Sequence, residues 1–154
     1  MNLSVTRQIT VDHTTIDRTA IESRSLQVAN ALHALEIQEG DSVAVYLQNQ
    51  QAYLEIILAC RRLGVYYTPV NWHFTASEVQ YILQDSGAKA LFTQSSLLQA
   101  ALAAKTDGLP TICTDCESGD SNIDVIHYES WINQFTPYDG PPASPRGHMA
   151  YTSG

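Results

Sequence analysis

The sequence predicts an α/β domain of alternating helix and mostly parallel strand. Three observations carry this prediction. Short apolar runs rich in β-branched residues alternate with segments whose apolar residues recur at helical spacing. Glycine and proline punctuate the junctions. The alternation is unbroken from residue 42 to residue 113, as expected when parallel strands are joined by helical crossovers.

The elements follow in order. Asp17 to Glu36 carries Ile21, Val28, Leu32 and Leu35 at helical spacing, with Ala29 and Ala31 supporting them, and Gly40 and Asp41 break it. Ser42 to Leu47 reads as a buried strand. Gln50 to Leu63 is helical, with Tyr53, Ile56, Ile57 and Cys60 on one face. Gly64 stands where the helix end favours a left-handed residue, and Arg61 and Arg62 suit the negative end of its dipole. Val65 to Val70 is a strand closed by Pro69, followed by the loop Asn71-Trp72-His73-Phe74.

Thr75-Ala76-Ser77-Glu78 has the form of a capping box and opens a helix to about Ser86. Ala88 to Thr93 is a strand, Ser95 to Lys105 a helix rich in alanine and leucine, and Thr111 to Thr114 a short strand. Asp115 to Asn122 is a polar, acidic loop. Ile123 to His127 reads as a strand and Tyr128 to Phe135 as a short helix. Residues 136–147 hold four prolines and two glycines and form a connector, and His148 to Thr152 is the final strand.

At 154 residues the chain suffices for one domain with a core. Its 44% hydrophobic and 16% charged content fits a globular protein. A net charge of -8, with only 8 scattered Lys and Arg, argues against nucleic acid or an anionic bilayer as partner. No apolar run reaches membrane-spanning length, so no transmembrane segment is expected. Met1 to Ile9 lacks the apolar core of a signal peptide. Three cysteines are too few and too uneven for a disulfide framework, which makes the cytoplasm the expected compartment.

Several groups could carry chemistry. Tyr151-Thr152-Ser153-Gly154 follows an apolar stretch, and small hydroxyl residues running into glycine are how a phosphate-cradling loop begins. On spacing alone these residues read more readily as an ordinary turn. Cys113 and Cys116 have the spacing of half a zinc site or a redox pair, but no further ligands lie nearby, and Asp115 and Glu117 oppose thiolate formation. They are read as incidental thiols at a strand end. His13, His33, His73, His127 and His148 share no short motif. Trp72 is expected to pack against the sheet. Asp115, Glu117, Asp120 and Asp124 lack the spacing of a calcium loop and read as a solvated acidic cluster. No catalytic residue and no metal ligand is singled out.

Three stretches together resemble the N-terminal part of an AMP-forming acyl-CoA synthetase, of the adenylate-forming superfamily. The first runs from Arg24-Ser25 through Val28-Ala29-Asn30-Ala31-Leu32 to Glu39-Gly40-Asp41-Ser42-Val43-Ala44-Val45. The second is Leu63-Gly64-Val65-Tyr66-Tyr67-Thr68-Pro69-Val70-Asn71-Trp72-His73-Phe74-Thr75 with the helix through Ser86-Gly87-Ala88-Lys89, and is especially similar to fatty-acyl and related acyl-CoA ligases. The third, Met149-Ala150-Tyr151-Thr152-Ser153-Gly154, matches the opening of the family's phosphate loop.

The resemblance implies that residues 1–154 are the N-terminal portion of an AMP-binding (adenylation) domain, cut within that loop. It implies a carboxylic acid substrate, activated by ATP as an acyl-adenylate and passed to coenzyme A, with Mg2+ assisting. Thr152, Ser153 and Gly154 would contact the phosphates released as pyrophosphate. The lysine of the loop and the remaining catalytic groups would lie beyond Gly154, so these residues alone are expected to be inactive and to self-associate through an uncovered apolar face. Two alternatives stay open: another adenylate-forming enzyme, either a peptide-synthetase adenylation domain or a luciferase-like one, and a stand-alone, non-catalytic partner-binding domain.

Overall fold

The computed structural model describes residues 8–11, 13–117 and 123–152. Two short strands, β1 (Gln8–Val11) and β2 (Thr14–Asp17), pair antiparallel as a hairpin turning at His13, whose φ is 65°. The expected elements began only at Asp17; the threonine-rich alternation before it is the signal of this hairpin. Asp17 then caps α1 (Arg18–Ala34), accepting a hydrogen bond from the Thr19 amide at 3.2 Å.

The main sheet has five parallel strands in the order β4-β3-β5-β6-β7. These are β3 (Ser42–Val45), β4 (Tyr66–Pro69), β5 (Ala88–Thr93), β6 (Thr111–Cys113) and β7 (Ile126–His127). Helices α2 (Gln51–Leu63), α3 (Ala76–Asp85) and α4 (Leu98–Ala104) join β3 through β6 in turn, α5 (Tyr128–Ile132) follows β7, and a short 3-10 turn, Ser95–Leu97, leads into α4.

The core explains why β3 is apolar without alternation. Val43 and Val45 face one layer, formed by α1, α2 and α5, together with Ala90, Phe92 and Ile112. Ala44 and Tyr46 face the other, with Leu91, Val79, Ile82 and Leu83 and with Ala101 and Ala104 of α4. Both faces of the strand are covered, as in a parallel sheet wrapped on both sides. Helix α1 is held by this burial more than by propensity, because most helical stability in a folded protein comes from packing of the buried face. Ile21, Val28 and Leu32 are fully buried, and each such side chain contributes about 1.5–3 kcal/mol.

Two expectations about faces and ends are corrected. On α2 the buried face is Ala52, Glu55, Ile56, Ala59, Cys60 and Leu63, so Tyr53 and Ile57 sit at its margins. Residues 148–152 do not form a strand. His148 makes a single parallel bridge to Tyr67, with the Met149 amide donating to the Tyr67 carbonyl at 3.0 Å. The next rung would need a donor from Pro69, which has no N–H, so the ladder stops after one step.

Candidate functional site

In this sheet the chain steps from β3 outward to β4, then crosses to the opposite side of β3 to lay down β5. The direction of winding therefore reverses between β3 and β5. In open parallel sheets, the crevice outside the carboxyl ends of strands at such a reversal is where ligands bind.

Gln94 occupies that point. It follows β5 directly and is 6% exposed. Its Oε1 accepts from the Gln48 amide at 2.7 Å and from Gln50 Nε2 at 3.2 Å. Its Nε2 donates to Gln48 Oε1 at 3.0 Å and to Ser96 Oγ at 2.8 Å. One side-chain amide thus ties the segment after β3 to the turn after β5. The sequence reading missed it, because a glutamine next to a strand carries no motif.

The segment leading to the expected phosphate loop lies on the other flank of β3. After the His148 bridge the chain runs past α3, where the Tyr151 hydroxyl donates to Asp85 Oδ2 at 2.7 Å and its ring meets Tyr81 edge-on at 6.5 Å. Burial, the bond to Asp85 and the Asp85 charge push the Tyr151 phenol up to about 12. Thr152 is exposed at the rim of an open cavity of about 310 Å³ bounded by Phe74, Ser77, Glu78, Tyr81 and Tyr151. Ser153 and Gly154 lie outside the described residues.

Glu78 belongs to the capping box of α3. Its Oε2 accepts from the Thr75 amide and from the Thr75 hydroxyl, each at 2.8 Å. The Thr75 amide holds this carboxyl below the usual range. No lysine or arginine lines the cavity among the described residues. A cavity with a carboxylate in its wall and no cation does not suit a phosphate, whereas the exposed Thr152 hydroxyl at its rim is a suitable donor to one.

The other sequence-derived candidates do not converge on this point. Cys113 and Cys116 are joined in a disulfide, which corrects their reading as incidental thiols. The turn after β6 brings their Cα atoms to 5.6 Å, within bridging range. Trp72 does not pack on the sheet. It is 43% exposed and its ring lies against His73 at 3.4 Å, because the Asn71 side chain folds this loop outward by accepting from the His73 amide at 3.0 Å.

His33 contacts Tyr138, His148 lies beside Tyr67, and His127 Nδ1 lies 3.1 Å from the Cys116 carbonyl. In the acidic cluster, Asp115 accepts from the Ser95 amide and hydroxyl, and Asp124 pairs with Lys105 at 3.3 Å. Asp120 lies outside the described residues. No helix among the described residues is long and apolar enough to cross a membrane.

Comparison with known proteins gives a consistent result. A family model described as AMP-binding enzyme matches residues 6–154. A fatty acid–acyl-carrier-protein ligase of Streptomyces coeruleorubidus is 40% identical over 74 residues, covering 48% of this chain and 14% of that protein. An acetyl-coenzyme A synthetase of Xylella fastidiosa (strain Temecula1) is 32% identical over 120 residues, covering 75% of this chain and 18% of that protein. The chain thus spans less than a fifth of the length of these curated relatives. Among solved structures, an acyl-CoA synthetase of Brucella canis superposes with a TM-score of 0.82 at 22% identity, over 99% of this chain and 30% of that one. That likeness concerns the fold.

Proposed function

The chain belongs to the family of AMP-binding enzymes, and from that premise we propose that it forms the N-terminal part of an ATP-dependent acyl-CoA ligase. The substrate is a carboxylic acid, of the fatty class by the second sequence block, and the compartment is the cytoplasm. The carboxylate attacks the α-phosphate of ATP, giving an acyl-adenylate and pyrophosphate, and the thiol of coenzyme A then displaces AMP.

The observation that supports this reading is the course of residues 148–152. They leave the edge of β4 at His148 and present the Thr152 hydroxyl to solvent at the start of the expected phosphate loop. In this reading Thr152, with Ser153 and Gly154, donates hydrogen bonds to the phosphate oxygens that depart as pyrophosphate. Donors fixed before the reaction stabilise such charge without reorganising. A magnesium ion, when bound, neutralises charge on the same phosphates. The Tyr151–Asp85 bond anchors the residue just before these donors. Among the described residues no cation lines the neighbouring cavity, and in this reading residues 1–154 alone are expected to be inactive.

The test is carboxylate-dependent exchange of labelled pyrophosphate into ATP by the longer protein that carries this segment. Exchange with a fatty acid, reduced about tenfold or more by Thr152→Val, is expected. No exchange with any acid removes the proposal. A second reading concerns the acceptor alone, since the 40% identical relative is named as a ligase to acyl-carrier protein. Thioester formation with holo-acyl-carrier protein and not with coenzyme A would favour it.

A further inference from the structure

Cys113 ends β6 and is bridged to Cys116 three residues later. Three features distinguish this bridge from a structural staple. It encloses only two residues, so it restrains the unfolded chain far less than a long-range bridge. Access to its two sulfurs is unequal: Cys113 is 1% exposed, whereas Cys116 is half-buried and borders an open surface cavity with Ser95, Leu98 and His127. The enclosed loop also fastens two neighbouring elements. Asp115 accepts from the Ser95 amide at 2.6 Å and the Ser95 hydroxyl at 2.9 Å, which holds the turn into α4. The Cys116 carbonyl lies 3.1 Å from His127 Nδ1, at the end of β7.

We propose that Cys113–Cys116 is a reversible thiol–disulfide switch that clamps the loop after β6 to the turn before α4 and to the end of β7. A thiolate from an external dithiol attacks the accessible Cys116 sulfur. The S–S bond breaks, Cys113 leaves as thiolate and takes a proton, and a mixed disulfide forms at Cys116. The second thiol of the dithiol resolves it, leaving two protein thiols and one oxidised dithiol; two electrons and two protons have been transferred. The clamp sits at the carboxyl edge of the sheet, so its state is felt on the edge where parallel sheets bind ligands.

The pair is not built as an oxidoreductase. No helix begins at Cys113, and Asp115 Oδ1 stands 3.8 Å from Cys113 Sγ, where a negative charge disfavours thiolate. Exchange is therefore stoichiometric and slow. The switch stands independently of the nucleotide chemistry proposed above.

Alkylation by N-ethylmaleimide followed by peptide mass analysis tests the bridge, and hydrogen exchange tests the clamp. Cys60 does not confuse the count, because burial pushes its thiol up to about 12 and leaves it inaccessible. The full chain prepared in air without reductant should take no label at Cys113 or Cys116, and one at each after dithiothreitol. Amide exchange in 95–98 and 114–117 should quicken by about tenfold or more on reduction. Cys116→Ser should show the fast pattern with or without dithiothreitol. Labelling of both cysteines before reduction overturns the proposal. So does identical exchange in oxidised and reduced wild-type chain, a comparison that requires no variant to fold.

Discussion

Arg24 Nε donates to Oε1 of Glu55 at 2.6 Å, and Glu55 is fully buried. The same carboxylate accepts from Tyr128 Oη at 2.7 Å and Gln51 Nε2 at 2.7 Å, which joins α1, α2 and α5 on one buried charge. Burial opposes the Arg24 charge, but Glu55 and Glu129 outweigh it and raise the guanidinium above its ordinary range. Arg24→Ala should destabilise the chain by about 3–5 kcal/mol, because it strands an unpaired buried carboxylate. Glu129→Ala, which removes the exposed partner of the same arginine, should cost less than about 1 kcal/mol. Urea denaturation distinguishes them; equal losses would show that Glu55 is not the partner that matters.

Gly64 closes α2 with φ at 67°, and its amide donates to the Cys60 carbonyl. A Cβ there would stand 2.9 Å from Ala143 Cβ and 2.9 Å from Glu39 Cγ. Gly64→Ala therefore combines backbone strain of about 1 kcal/mol with a collision against the connector. Gly87→Ala supplies the control, since φ there is 61° but nothing lies within 4 Å of the added atom. Gly64→Ala should lower the melting temperature further than Gly87→Ala. Equal shifts would mean that the connector yields freely.

Much of this was legible beforehand because it rests on local chemistry. Gly64, the Thr75–Glu78 box and the apolar run of β3 each announce their geometry through residue type. The single rung at His148 was legible in principle, since Pro69 lacks the donor that the next rung requires. Glu55 left a fainter trace, as a carboxylate among Ala52, Ile56 and Ala59 on the core-facing stripe. The partners Arg24 and Tyr128, 31 and 73 residues away, are set by packing and leave none. At the candidate site, Thr152 is proposed from the resemblance of its segment to a phosphate loop, whereas Gln94 depends on the strand order and could not be singled out without it.

Gln94 holds together the two chain segments at the winding reversal. Gln94→Leu keeps the volume but leaves the Gln48 amide without its acceptor in a partly buried place. The expected loss is about 1–3 kcal/mol, or roughly 2–4 °C of melting temperature per kcal/mol in a chain of this size. Gln50→Ala removes only the longer contact of 3.2 Å and should be nearly silent. A Gln94→Leu variant that melts with the wild type would show that the network adds no rigidity to that crevice.

The Tyr151–Asp85 bond makes a prediction about pH. The phenol is raised from 10.0 to about 12, so the folded state favours the protonated form. The stabilisation from a group with a raised pKa is complete below the unfolded value, near pH 10, and is lost as pH rises through about 12. Tyr151→Phe removes both the titrating group and the bond. It should lower stability at neutral pH and flatten the decline between pH 10 and 12. Because burial also raises Tyr46, Tyr53 and Tyr128, the readout is the difference in phenolate absorbance between wild type and variant. That difference should titrate near 12. A difference that titrates near 10 would mean that the hydroxyl does not hold Asp85 in solution, and that the segment before Thr152 is not anchored to α3.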